Sequence, residues 1–419
     1  MKKSNSTIWN AMLKHCDHFS MDLDNDIMNH MLSNFFNQMN SVKDSLQQNE
    51  WEKMDIQINK VNVEYLMPKT DLKTSFPSNF KQIIHETIQY QVIYQTQLFG
   101  KKINIYIFSE KKDSIKDVFN QVCLMLMWLS YVLSLVKTNC SNTLTIYFYK
   151  MKMKKQLPSD RNSHLHDYHV NSAFTYCCAP TNEIVLFREE EWFKVFIHET
   201  FHSLGLDFSR LHYHDKHIND TLKDLFGINI SYDLAESYCE TWGRLINVIF
   251  CSYWSNHNYL HYAHFKKDFY QNMKIEVMFS IIQMLKILNH NKLDYDHLII
   301  KETKDSIQKY YKDNYKEFTP VFSYYVLTSI NLININEFIK WCSTHNKIIF
   351  AFDQNSVNLY KYVLFIKKTM KNDRIYKQIA CVENMMSSKS SHDDSNNGNK
   401  HNKELIKSLR MSINEMEFI

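Results

Sequence analysis

The segment His198-Glu199-Thr200-Phe201-His202 constrains this chain more than any other five residues. It sets two imidazoles four positions apart, with a carboxylate beside the first. Around it Trp192, Phe193, Phe196, Ile197, Phe201 and Leu204 recur at helical spacing, which predicts a helix over 190–204. On a helix, positions i and i+4 share one face, so both rings can reach one metal ion. Glu199 then stands beside that ion, where a carboxylate can take a proton from water. The flanks fit such a helix. A strand is expected over 182–187, acidic Glu189, Glu190 and Glu191 suit the positive N-terminal end, and Gly205 suits the stop. The competing reading is a helix whose histidines are ordinary polar neighbours of a buried face. A metal site needs a third ligand, and that requirement tests the two.

Three sources offer one. A HExxHxxGxxH register matches at Gly205 but puts Phe208 at the ligand position, with Asp207 one residue out of step. Asp207 or Asp215 would serve an aspartate scheme, although neither sits in a local pattern. The third source is a later helix, expected over 232–250, on which Glu236 and Glu240 share a face. Their neighbours Leu234, Ala235, Tyr238, Cys239, Trp242, Leu245 and Ile246 are mostly apolar, and buried carboxylates need partners. Glu236 would bind the metal, while Glu240 would accept the second ring N–H of a ligand histidine and so fix its tautomer. The histidine-rich stretch 211–217 otherwise reads as a surface loop, and it holds the competitors if Glu236 does not bind.

His198-Glu199-x-x-His202 followed by Glu236-x-x-x-Glu240 resembles the gluzincin branch of zinc metallopeptidases, which pairs HExxH with a downstream ExxxD or a close variant. The resemblance implies one Zn2+ held by His198, His202 and Glu236, with Glu199 as general base and Glu240 in place of the usual aspartate. It covers roughly residues 91–250. A hairpin over 91–108 around Gly100, a long helix over 113–137, a strand over 143–150 and a short strand over 169–175 follow the order of that family's upper lobe. The short strand would be the edge that pairs with an extended peptide or protein substrate, with Asn171 and Ala173 as substrate-binding residues. The resemblance implies a peptidase, more naturally an endopeptidase, because no motif for binding a free amine or carboxylate is present.

The expected fold class is α+β: a small mixed sheet with a backing helix and the HExxH helix, followed by a mainly α-helical second lobe. Glycine and proline number only 5 each in 419 residues, which favours long helices. The expected divisions are a helical accessory region or pro-segment over 1–60 and a catalytic lobe over 61–210. A helical lobe over 211–385, a low-complexity linker over 386–404 and a C-terminal segment over 405–419 that regains apolar residues complete the chain. A formal charge of +4 without a long basic block argues against nucleic acid as the main partner. The apolar run 122–136 is short for a bilayer and reads as a buried helix, so no membrane partner is expected. Nine cysteines without CxxC spacing suit a reducing compartment better than a disulfide framework, which points to a soluble intracellular protein. The Lys, Asn and Ile richness resembles that of proteins encoded by large DNA viruses with AT-rich genomes.

Hydrolysis would also need a donor to the developing oxyanion. His264, Tyr324 and Tyr325 are candidates, and among 25 tyrosines and 20 histidines the sequence selects none of them. The rival from another class is a non-catalytic metal-binding scaffold, or a virion or interaction protein, on the same fold.

Overall fold

The structure, a computed structural model, describes residues 12–13, 19–49, 57–71, 75–160, 162–212, 216–255, 261–299, 306–388 and 407–416. The chain is α+β. Among the described residues its six strands are β1 (Ile58–Lys60), β2 (Tyr90–Leu98), β3 (Lys101–Ser109), β4 (Thr143–Tyr149), β5 (Ala173–Thr175) and β6 (Thr181–Leu186). They form one mixed sheet in the order β1-β2-β3-β4-β6-β5. β2 and β3 make a hairpin whose two-residue turn, Phe99-Gly100, has positive φ at both positions, the twist that antiparallel partners favour. β3, β4 and β6 run parallel, and β5 closes the edge antiparallel to β6.

Alternation along the central strands divides the core. Ile103, Ile105 and Ile107 of β3 and Leu144, Ile146 and Phe148 of β4 face one side. Tyr106, Phe108, Tyr147 and Tyr149 face the other, where they meet Phe80 and Ile84 of α2 (Ser78–Thr87). The aliphatic side is covered by α3 (Ile115–Leu135) and α4 (Trp192–Leu204). The N-terminal helix α1 (Asp26–Asn49) packs on α3, with Phe35 stacked on Tyr131 at 4.1 Å between ring centres. α3 is longer than its apolar run suggests. By length and composition it qualifies to cross a membrane, but 78% of its most apolar stretch is buried inside this fold. It is the core helix that the sequence predicts.

The second half is helical. α5 (Lys216–Phe226), α6 (Leu234–Ser255) and α7 (Tyr262–His290) are followed by a π turn (Ser323–Leu327), α8 (Ile335–His345), α9 (Ser356–Thr369) and α10 (Asp373–Ser388). α6 lies against α4, and Gly243 makes the approach possible: a Cβ there would sit 3.4 Å from His198 Cβ. Three expectations need correction. Residues 169–172 are not strand, because a helical turn (Asp167–Val170) ends at Asn171, where Arg188 Nε donates to the Asn171 carbonyl. Cys140 and Cys178 form a disulfide, against the expectation that the cysteines stay as thiols. Glu191 does not cap α4 with its side chain; its backbone is left-handed and its carboxylate points elsewhere.

That carboxylate holds the end of the chain. Residues 409–414 are buried between the lobes. Glu191 Oε1 accepts from the N–H groups of Met411 and Ser412, while Glu276 Oε2 accepts from Ser412 Oγ and from Asn414 Nδ2 at 2.8 Å. Leu409 N–H donates to the Lys155 carbonyl, and Tyr325 Oη donates to the Leu409 carbonyl. Carboxylates buried this deeply need partners on every oxygen, and these donors supply them beside the cations Lys155 and Arg244. Asn414→Asp sets a second acid against Glu276 and is expected to cost about 3–5 kcal/mol, read as a lowered urea midpoint. A loss under about 1 kcal/mol would show that Glu276 does not hold the segment. Of the expected divisions, most of the 386–404 stretch and part of 1–60 lie outside the described residues.

Candidate metal centre

α4 brings His198 and His202 to one face, and α6 sets Glu236 opposite them. The Nε2 atoms of the two histidines are 3.2 Å apart. Glu236 Oε2 lies 2.9 Å from His198 Nε2 and 3.4 Å from His202 Nε2. A tetrahedral zinc ion with ligands at about 2.0–2.1 Å would separate any two of them by about 3.3–3.4 Å. The triangle therefore has nearly the edge lengths that one such ion requires. His198, His202 and Glu236 are the residues that would hold it.

The other ring nitrogens explain why the triangle points inward. Asp207 Oδ2 is 2.6 Å from His202 Nδ1 and is itself hydrogen-bonded by Ser209 Oγ. Glu240 Oε2 is 3.2 Å from His198 Nδ1, and among the described residues that nitrogen has no other partner. With Nδ1 of each ring directed at a carboxylate, the Nε2 lone pairs turn towards Glu236, where three acceptors meet and repel unless positive charge lies among them. Burial opposes protonation of His198, but the hydrogen bonds with Glu236 and Glu240 prevail and raise it to about 9. His202 is likewise raised despite burial, through the nearby carboxylates of Glu236 and Asp207. Burial works against ionisation of Glu236 too, and the two imidazoles still hold it well below the usual carboxylate range. The centre is built to hold positive charge.

Behind His198, Lys194 Nζ binds both oxygens of Glu240, at 2.8 and 3.0 Å. Glu240 stays ionised down to about 2, because the nearby Lys194 charge outweighs the cost of its burial. Lys155 Nζ and Glu191 Oε2, 3.0 Å apart, extend this buried chain of charges to the C-terminal segment. The C-terminal end of α4 is fixed by Gly205, left-handed with φ 65°, whose N–H donates to the His202 carbonyl. The Cys140–Cys178 disulfide packs there, and a Cβ on Gly205 would come within 3.1 Å of Cys140 Sγ.

Glu199 is buried on the same helix, and burial, reinforced by the charge of Glu236, raises its carboxyl above the ordinary value. A raised carboxyl is a better-matched proton acceptor near neutral pH. Glu199, His198, Ala173 and Asn171 line one small cavity together with Tyr324, whose ring centre is 6.2 Å from that of His198. Ala173 stands on the edge strand β5. Asn171 does not, since its Oδ1 accepts from Thr319 Oγ1 and its backbone closes the preceding turn. Of the candidate oxyanion donors, Tyr325 is turned to Leu409 and His264 is exposed on the first turn of α7, which leaves Tyr324 at the cavity. Asp215 lies outside the described residues.

The sequence gives no sign of Lys194, and it offers Asp207 only as an alternative third ligand. Asp207 is no third ligand on the Glu236 side; it meets the far nitrogen of His202. Cys239 Sγ lies 3.8 Å from that same nitrogen, and burial pushes its thiol well above the ordinary value, so it stays protonated there. Spacing alone does not reveal Asp207, because a five-residue separation across Gly205 leaves the helix face. Asp207→Asn is expected to lower zinc affinity about 10–100-fold, measured by competition with a chelator, while secondary structure persists. Unchanged affinity would remove Asp207 from the centre. Compared with models of known families, with curated proteins and with solved structures, the chain matches none.

Proposed function

We propose that the chain is a zinc-dependent metallopeptidase of gluzincin type, acting as an endopeptidase on peptide or protein substrates. One observation carries the reading: two imidazole nitrogens and one carboxylate oxygen, 2.9–3.4 Å apart, converge beside a buried carboxyl that is no part of the triangle. A structural metal site has no use for Glu199 in that position. Zinc bound there would bring the pKa of water towards neutrality and polarise a carbonyl. Glu199 would accept the proton from water and return it to the leaving amine. Tyr324 Oη, kept protonated by burial, would donate to the oxygen on which charge develops. β5, the sheet edge, would pair with an extended substrate through its outward main-chain groups, Ala173 at its start.

The tightness of the cavity beside Glu199 favours one alternative, a metal-binding scaffold that admits no substrate. A hydrolase acting on another class of substrate would share the same centre. Zinc content of protein purified without added metal, followed by a peptide-library digest, tests the reading. About one zinc per chain and discrete cleavage products are expected. A chain that takes up no zinc when offered it would refute the centre. A zinc-loaded chain that cleaves nothing would leave the scaffold.

A further inference from the structure

The cavity that Glu199 lines has a volume of about 30 Å³, room for a water molecule or a methyl group and little more. Its wall includes Ala173, Val195, His198, Glu199 and Tyr324 and, towards the buried charges, Lys155, Lys194 and Glu240. The cavity is open on one side, and Met411, 217 residues beyond Lys194 in sequence, forms part of its lining and reaches Lys194 in space, Sδ to Nζ 3.7 Å. Nothing in the metal centre requires a side chain from the far end of the chain at this point. Its placement is nevertheless firm. The Met411 N–H donates to Glu191 Oε1 at 2.9 Å, Ser412 N–H donates to the same oxygen, and the neighbouring Leu409 is tied at both its N–H and its carbonyl. Withdrawing the backbone would take two buried donors from Glu191 Oε1 and leave that oxygen without them, so the thioether is held as an apolar part of the cavity's lining.

We propose that Met411 determines which substrate side chain fits beside Glu199, limiting it to hydrogen or methyl, as in a glycine or alanine residue next to the cleaved bond. The substrate class rests on the peptidase reading, but the size limit needs only the cavity and a metal-directed ligand. A larger side chain seated in the cavity presses on the buried Met411, where added methylenes are poorly tolerated. Discrimination of about tenfold or more per added methylene is expected. Met411→Ala removes three non-hydrogen atoms from the lining and should extend the cavity into the space they leave.

The test uses full-length zinc-loaded protein and the hydroxamates of glycine, alanine, valine and leucine, which chelate the metal and carry graded side chains. Dissociation constants are measured by calorimetry, so no turnover is needed. The parent should bind the glycine and alanine compounds at least about tenfold more tightly than the leucine compound. Met411→Ala should tighten leucine hydroxamate about tenfold or more while leaving glycine hydroxamate unchanged, and Met411→Leu, similar in bulk, should behave as the parent. Met411→Val serves in the same way, with a smaller gain, if the alanine variant does not fold. A leucine-to-glycine ratio that is equal in parent and variant overturns the proposal, as does a parent that binds all four alike or binds none. Graded binding without any peptide cleavage would instead refute the peptidase reading and leave the size limit standing.

Discussion

Glu199→Gln is expected to lower peptide hydrolysis about 10²–10⁴-fold with zinc content unchanged. Glutamine keeps the shape and buried volume of the side chain but cannot take up a proton. Glu199 lies outside the His198–His202–Glu236 triangle, so the metal loses no donor. In this fold the carboxyl is buried and its pKa is raised, which suits a proton acceptor and costs stability in a group with no other task. The measurement is the steady-state rate on a cleaved peptide beside metal analysis of the same preparation. Loss of turnover with full zinc identifies the base. Full turnover in the variant would remove Glu199 from the chemistry, and loss of zinc would show that it helps hold the centre.

Glu236→Ala carries the other large effect. It removes one corner of the triangle and leaves two imidazole nitrogens facing each other across 3.2 Å. Zinc affinity should fall by more than the roughly 10–100-fold that loss of an outer carboxylate such as Asp207 costs, because a coordinating atom itself is gone. Protein purified without added metal should therefore carry about one zinc per chain in the parent and almost none in the variant. The α6 helix should persist, since Leu234, Tyr238, Trp242 and Leu245 bury its other positions. If the variant retains zinc with the affinity of the parent, the third donor is elsewhere and the reading of the triangle fails.

Periodicity made the elements of this chain readable. The hairpin about Gly100, the β4 and β6 strands, α3, the HExxH helix and its stop at Gly205 all follow from local alternation, helical spacing and two glycines with positive φ. Local patterns also put His198 with His202, and Glu236 with Glu240, on shared helix faces, because i and i+4 coincide on any α-helix. Where a side chain answered to a distant partner, the sequence misled. Arg188 draws the backbone before Ala173 into a turn that alternation reads as strand. Glu191 looks like a helix-start acid and is instead an anchor for Met411 and Ser412.

What the sequence determined by itself is the set of donor types and the helices that carry them, since these depend on spacings of a few residues. The choice of Glu236 over Asp207 and the place of Glu240 behind a ligand histidine were expectations from spacing, but only the tertiary structure put Asp207 and Lys194 behind the triangle. Only the fold, too, seats Met411 beside Glu199. The physical reason is the same in each case. A buried charge must find its counter-charge or donor wherever packing brings one near, and the contact of α4 with α6 and with the C-terminal segment joins residues whose separation along the chain carries no periodic signal.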